Sequence, residues 1–343
     1  NYKSAPSIST LNALSQFAGY ENWRAFKNQQ NTSVFKKIQQ RISPNLGIIM
    51  TSAIVMTLVF ISLYSLKGTD NLPNFDTSKI VFESNAITEG LPNTVVFDID
   101  LQGIQSDSIY IQQFWDPTKT IKLKPNQKQA TGIYFFPGYF KAKLLIDGIK
   151  VKEHDLFIKS NGWSATIDYE PIPKFLMQSE IINNGLSLPN QLLETIKNSD
   201  NPINSSFHYV KDFGDVSGDN FTLKTSIQNL YNDKWAVCQK IRIVILGTNG
   251  AHIIPLSIPG CVSDIDLLLN DVLLKGKEND LSALSSDFSS TKDVELQLVN
   301  QQLQVFIEGK KVFSQTYNES IGKLVGLRYR FTGAFKIHNL EIK

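Results

Sequence analysis

The sequence predicts a mainly β chain: two exported β-sandwiches in series on one membrane-spanning helix, with a small α-helical segment at the N-terminal end. Three features lead to this prediction. An uncharged apolar run lies early in the chain, short runs of alternating apolar and polar residues fill most of the rest, and a proline-punctuated interval divides those runs into two groups. With 343 residues, of which 42% are hydrophobic and 10% aromatic, the chain can bury more than one core, which excludes a disordered or fibrous protein.

Residues 1–45 are expected to form a small cytoplasmic helical segment that is incomplete at its N-terminus, because the chain begins at Asn1 rather than Met. A capped helix ending at Gly19 and a second short helix capped by Asn22 would form an αα-hairpin. The stretch SISTLNALSQFAGYENWRAF resembles the end of a helical domain found at the N-terminus of Bacteroidota proteins. That resemblance implies a regulatory head; the alternative is a packing domain that only positions the following helix.

Residues 46–66 contain no charge and as a helix would span roughly 31 Å, the thickness of a hydrocarbon core. A buried core helix or a signal peptide fits this run less well, because of its length and its distance from the start of the chain. Lys36, Lys37 and Arg41 precede it, so the positive-inside rule places the N-terminus in the cytoplasm. We therefore expect a single-pass protein of a bacterial inner membrane, embedded in the lipid bilayer, with its C-terminal body in the periplasm.

Cys238 and Cys261 are the two cysteines of the chain, and both lie in the body that we expect to be exported. A disulfide between them is the simplest interpretation, because an oxidising compartment preserves such bonds. Two free buried thiols are the alternative. Metal ligation fits less well, since the sequence offers no further thiol and no closely spaced histidine pair.

A spacer at 67–78 leads to short β-rich runs over 79–168, enough for an immunoglobulin-like sandwich. Trp115-Asp116 and the pattern that starts at Tyr134 (Y-x-x-P-G-x-F-x-A-x-L) resemble the polycystic-kidney-disease (PKD) type of sandwich. The Gly-Asp-Gly that usually follows the Trp-Asp pair is absent, so the resemblance supports a fold rather than a ligand role. It implies a spacer or an interaction surface.

The interval 169–205 is predicted to be a packed connector with one short helix, LPNQLLETI. Over 206–343 the strand patterns return at the density of a two-sheet jelly roll. The segment VELQLVNQQLQVFIEGKKVFSQTY resembles the central hairpin of the concanavalin-A-like, laminin-G-like superfamily, and LVGLRYRFTGAFKIHNLEIK resembles its closing strands. The resemblance implies recognition of carbohydrate or protein ligands, often with Ca²⁺, and some members are glycosidases.

No catalytic residues are predicted, and we expect the chain not to be an enzyme. Asp264 and Asp266 would share one strand face, but they lack the glutamate partner that a hydrolase of this fold needs. The four histidines are isolated in sequence, and motifs for a nucleophile, a metalloprotease or a phosphate loop are absent. An acidic excess beyond residue 66 also argues against nucleic-acid binding by the exported part.

Two sets of residues are candidate binding sites. The loop DFGDVSGDN carries oxygen ligands of the kind that Ca²⁺ prefers, although a solvated turn explains it as well; these are Asp212, Asp215, Asp219 and Asn220. The second set consists of aromatic residues that could stack against a sugar ring, although packing in the core explains them as well; these are Tyr209, Tyr231, Trp235 and Tyr317.

Two functions remain open at the level of sequence. The first is a membrane-anchored binding or sensing protein whose lectin-like tip recognises a glycan or a protein. The second is a structural accessory subunit of an envelope membrane-protein complex, in which the sandwiches dock against protein partners.

Overall fold

The computed structural model describes residues 8–28, 77–169, 171–182 and 184–343. The predicted membrane helix at 46–66 lies outside these described residues. Within them, no helix has the length and apolar character that crossing a membrane requires. The chain divides into two compact units, Asn1–Asn74 and Phe75–Lys343.

The N-terminal unit contains the predicted helix, a turn and a second helical stretch. Helix α1 spans Ile8–Phe17, and residues 23–28 are helical again. Gly19 has a φ of +84°, a left-handed conformation that glycine adopts without strain. The side chain of Asn22 accepts a hydrogen bond from the backbone N–H of Ala25 at 3.0 Å, which caps the second stretch as predicted.

The larger unit begins with a sandwich of seven antiparallel strands in two sheets, ordered β1-β2-β5 and β4-β3-β6-β7. The strands are β1 (Val81–Ala86), β2 (Asn93–Asp100), β3 (Ile109–Gln112), β4 (Thr120–Lys122), β5 (Gln129–Tyr134), β6 (Gly138–Ile146) and β7 (Ile149–Ile158). Alternate residues of β2, such as Val95, Phe97 and Ile99, are buried between the sheets. The period-2 pattern of the sequence thus gives each strand one core face.

The second sandwich has an eight-stranded and a five-stranded antiparallel sheet, ordered β15-β14-β13-β12-β19-β10-β8-β9 and β18-β17-β16-β11-β20. Its strands are β8 (Trp163–Ile167), β9 (Lys174–Leu176), β10 (Asn204–Val210), β11 (Phe221–Asn229), β12 (Ile241–Gly247), β13 (Gly250–Leu256), β14 (Asp266–Leu269), β15 (Val272–Lys275), β16 (Lys292–Val299), β17 (Gln302–Ile307), β18 (Lys310–Thr316), β19 (Leu324–Thr332) and β20 (Phe335–Ile342). The mainly β fold is confirmed, and the predicted hairpins fall at β16–β17–β18.

The division between the sandwiches differs from the predicted boundary at residue 168. Strand β8, the predicted WSATI run, pairs with β10 in the eight-stranded sheet and therefore belongs to the second sandwich. The side chain of Ser160 accepts a hydrogen bond from the N–H of Val210 at 2.8 Å, which fastens the start of this segment to β10. A period-2 pattern identifies a strand but not the sheet that it joins, which explains the misplacement.

The connector packs on the second sandwich, as its apolar composition indicated. It holds a short helix, α2 (Gln178–Ile181), and the predicted helix, α3 (Asn190–Lys197), which Pro189 precedes at the N-cap. Leu192, Leu193 and Ile196 lie on one face of α3 and are buried in the core of the second sandwich. The connector therefore completes that core.

The first sandwich contacts the outer face of the eight-stranded sheet around Arg328 and His208. The guanidinium of Arg328 donates from Nη2 to the carbonyl of Pro137 at 2.8 Å and from Nε to Nδ1 of His208 at 3.0 Å. Its cation also lies 5.6 Å from the centre of the Phe136 ring. Burial and the neighbouring arginine cations keep the pKa of His208 well below its usual range, so this imidazole is neutral and accepts from Arg328.

Candidate functional site

The outer face of the five-stranded sheet carries a continuous set of polar side chains. In β16, Val294, Leu296 and Leu298 are buried in the core, so Asp293, Glu295 and Gln297 project from the opposite side. Their partners in the neighbouring strands are polar as well, and the pairs are Asp293 with Ser226, Glu295 with Lys224, and Gln297 with both Thr222 and Gln304.

A cleft of about 350 Å³ opens in this face. We call it the sheet-face cleft, and its lining comes from β11, β16, the β17–β18 turn and β20. The lining residues are Lys224, Thr225, Ser226, Asp293, Val294, Glu295, Gly309, Asn339 and Glu341. Since adjacent strands are about 4.8 Å apart, the three strands bring carboxylate, ammonium, hydroxyl and amide groups within the span of a few sugar rings.

A β-bulge in β20 shapes one wall of the cleft. Lys224 pairs with Glu341, but Ser226 pairs with His338, so β20 has one residue more than β11 over this stretch. Asn339 lies at the bulge with a φ of +48° and is exposed. A left-handed residue in a strand changes the direction of the side chains around it. The Asn339 amide lines the cleft, and its Nδ2 donates to Ser226 Oγ on the neighbouring strand β11 at 3.4 Å.

The charged groups of the cleft hold one another in place. Lys224 Nζ lies 3.1 Å from Glu295 Oε2, and the Gln297 amide donates to Glu295 Oε1 at 2.6 Å. These contacts lower the pKa of Glu295, with the Gln297 hydrogen bond as the largest cause and Lys224 as a further one. Ser226 Oγ donates to Asp293 Oδ1 at 2.6 Å, so both carboxyl groups accept a hydrogen bond from a neighbouring side chain and have further lone pairs available.

An aromatic ring lies beside this polar row. Phe306 pairs with Glu295 across β16 and β17, and its neighbours Val305 and Ile307 are buried in the core. Phe306 is therefore on the outer face, where it is half-buried. An apolar ring next to convergent hydrogen-bonding groups can contact the C–H face of a pyranose.

The four aromatic residues expected to bind a sugar have partners within the protein, and Tyr209, Tyr231 and Trp235 are half-buried. Tyr209 stacks on Trp163 with ring centroids 4.9 Å apart, and Tyr231 contacts Trp235 edge to face at 5.5 Å. The Trp235 indole N–H donates to a backbone carbonyl at 2.9 Å. Tyr317 is 4% exposed. Tyr317 therefore belongs to the core of the second sandwich, and Tyr231 and Trp235 pack against that core.

The four residues of the expected Ca²⁺ loop have separate partners. Asp212 accepts from a backbone N–H within the loop, Asp215 pairs with Lys323 at 2.6 Å, and Asn220 accepts from the N–H of a distant turn. Asp219 is buried and accepts from Tyr317 Oη at 2.8 Å and from the hydroxyl of Ser320. In the described part of the chain, no three His, Cys, Asp or Glu side chains lie close enough to hold a metal ion.

The carboxylates considered for hydrolysis are also separated. Asp264 ends a 3₁₀ turn and pairs with Lys240 at 3.0 Å, whereas Asp266 opens β14 and accepts from a backbone N–H at 3.3 Å. The expectation that they share one strand face is therefore wrong, because the strand begins only after Asp264. The predicted disulfide between Cys238 and Cys261 is confirmed.

Sequence reasoning missed the residues of the sheet-face cleft. The signal was present in DVELQ and QLQVF, where strict alternation places every polar residue on the face opposite the core. Asp293 and Glu295 are the two carboxylates of this alternation. The bulge at Asn339, which shapes the wall of the cleft formed by β20, has no clear signature in the sequence.

No family model matches this chain, and no curated protein is similar to it. Among solved structures, the carbohydrate-binding module CBM66 from Bacillus subtilis has 8% identity and a TM-score of 0.29, covering 41% of this chain and 86% of its own. An alginate lyase from Corynebacterium sp. has 11% identity and a TM-score of 0.32, covering 53% and 94%. Domain 4 of the arabinanase AbnA from Geobacillus stearothermophilus has 11% identity and a TM-score of 0.27, covering 42% and 72%. These TM-scores are too low to transfer a function, which has to be inferred from the chain's own residues.

Proposed function

We propose that this chain is a membrane-anchored binding protein whose second sandwich recognises a glycan at the sheet-face cleft. The observation that carries the proposal is the row of hydrogen-bonding side chains in register across three strands, centred on Lys224, Glu295 and Asp293. Vicinal sugar hydroxyls donate and accept at the same time, and carboxylates beside ammonium and amide groups offer both functions. Phe306 supplies the apolar contact.

The same geometry supports binding rather than hydrolysis. A glycosidase needs one carboxyl group that stays protonated near neutral pH, and this requires a raised pKa. The pKa of Glu295 is instead lowered by Gln297 and Lys224. We therefore keep the proposal that the chain is not an enzyme.

Membrane anchoring is part of the proposal and derives from the sequence. The uncharged run at 46–66 would hold the chain in a bacterial inner membrane, and the basic residues before it would place the two sandwiches in the periplasm. In this arrangement the PKD-like first sandwich carries the lectin-like second one, and the helical head lies in the cytoplasm.

The test is a glycan array probed with the full chain in mild detergent, followed by titration calorimetry with the best oligosaccharide. Replacing Asp293 and Glu295 together by Ala should weaken binding by about a hundredfold or more, since each hydrogen bond to a charged group contributes about 1.5–3 kcal/mol. Glu278→Ala is the matched control, because this exposed carboxylate pairs with Lys275 outside the five-stranded sheet.

An array without hits would refute glycan recognition. Co-purification of stoichiometric membrane proteins in the same detergent would then favour the accessory-subunit alternative. Equal losses for the cleft variant and the Glu278→Ala control would place the binding site elsewhere.

A further inference from the structure

The charges of the sheet-face cleft carry an inference about the class of glycan, and this inference rests on the function proposed above. Three carboxylates line the cleft, on Asp293, Glu295 and Glu341, against the ammonium group of Lys224. We infer that the cleft selects uncharged pyranose chains and rejects glycans that carry uronic acids.

The lysine of the cleft is not free to receive a uronate. Lys224 Nζ lies 3.1 Å from Glu295, and Lys224 pairs across the sheet with Glu341 on its other side. A uronate carboxylate at this position would displace an existing ion pair and would face the carboxylates that flank it. Such a like-charge contact costs about 1 kcal/mol at 4 Å in water and more in a partly desolvated cleft.

Two of the lysines just outside the cleft, Lys343 and Lys292, are also paired with carboxylates. Lys343 lies 2.9 Å from Glu341, and Lys292 lies 3.8 Å from Glu308. Each contact directs an ammonium group to a protein carboxylate at the edge of the cleft. Neither lysine belongs to the cleft lining, so they balance the charge of the face without supplying an anion subsite inside it.

Neutral hydroxyls suit the same groups well. Asp293 keeps one carboxylate oxygen beyond its hydrogen bond from Ser226, and Asn339 contributes an amide that can both donate and accept. A hydroxymethyl group at C6 would meet these acceptors as a donor. A carboxylate at C6 has no proton to donate, so the change from hydroxymethyl to carboxylate converts an attraction into a repulsion.

The experiment begins with a glycan array probed with the full chain. Binding is then compared between hexasaccharides that share a backbone and differ only at C6, and the first such pair is β-1,4-mannohexaose and hexamannuronate. We expect array hits on uncharged glycans, at least tenfold weaker binding to the uronate member of each pair, and a smaller difference at 500 mM than at 50 mM salt. Glu341→Lys should gain uronate binding, while Glu278→Lys should not.

The outcomes separate the two proposals. Array hits confined to uronate-bearing glycans, or equal affinities within the matched pairs, would overturn the charge selectivity and leave glycan recognition standing. An array without hits on either class would refute the proposed function, and the selectivity with it. Array hits on uncharged glycans, together with a gain of uronate binding in Glu341→Lys, would support both glycan recognition and the charge selectivity.

Discussion

Acidification is expected to destabilise the second sandwich through His252, and His252→Leu should remove most of that effect. His252 lies on β13 and is fully buried, with its ring centroid 4.5 Å from that of Tyr317. Neither ring nitrogen has a hydrogen-bond partner among the described residues. Asp219 lies 3.6 Å from Nε2 and favours the imidazolium, but desolvation outweighs it and lowers the pKa of His252 to about 4.

The pKa sets both the sign and the size of the effect. In the unfolded chain a histidine titrates near 6.5, so between pH 6.5 and 4 the unfolded state binds one more proton than the native state. The contribution of His252 to the free energy of unfolding is therefore fully present above pH 6.5, and it is lost as the pH falls from 6.5 to 4. At 1.36 kcal/mol per pKa unit, the loss attributable to His252 reaches about 3 kcal/mol at pH 4.

The assay is urea unfolding of the full chain in detergent at pH 7.5 and 4.5, followed by tryptophan fluorescence. His252→Leu should lose about 2–3 kcal/mol less than the natural chain between the two pH values, because leucine fills the site without titrating. Tyr317→Phe is the matched control; it removes the hydroxyl that donates to Asp219, but it keeps the imidazole, so its pH dependence should match the natural chain. An unchanged pH dependence in His252→Leu would refute the reasoning.

Two further predictions concern the disulfide of the second sandwich and the contact between the two sandwiches. Replacing Cys238 and Cys261 together by Ala should lower the free energy of unfolding by about 3 kcal/mol, since the bond closes a loop with a sequence separation of 23; an unchanged urea midpoint would contradict this. Arg328→Met should cost about 2–4 kcal/mol by leaving His208 and a first-sandwich carbonyl without their buried donor, and should speed proteolysis between the sandwiches. Cleavage at the natural rate would argue that this contact does not hold the sandwiches together.

Local features of this fold were predictable because they depend on near neighbours. The β16–β17 hairpin follows from alternation, and Asn300 and Gln301 at its turn adopt the positive φ values, 50° and 59°, that two-residue hairpin turns require. The cysteine pairing followed from composition and the expected compartment. Helix α3 followed from a proline at its start and an apolar face.

What could not be predicted depends on contacts between distant segments. The assignment of β8 to the second sandwich depends on its pairing with β10, about forty residues later, and no local pattern encodes that partner. The cleft has the same origin, since Lys224, Glu295 and Glu341 are far apart in sequence and become neighbours through sheet order. Single aromatics such as Tyr317 were poor guides, because a strand pattern does not reveal what packs over its end.

The two sheets of the second sandwich differ in what covers them, and this difference favours the five-stranded one as the binding face. The eight-stranded sheet presents Arg328 and His208 to the first sandwich, where both are engaged in the contact. The five-stranded sheet presents polar side chains around an open cleft instead. If this division is correct, Arg328→Met should loosen the junction while leaving the affinity of the cleft for its glycan unchanged. A parallel loss of glycan affinity in Arg328→Met would instead place the binding site at the junction between the sandwiches.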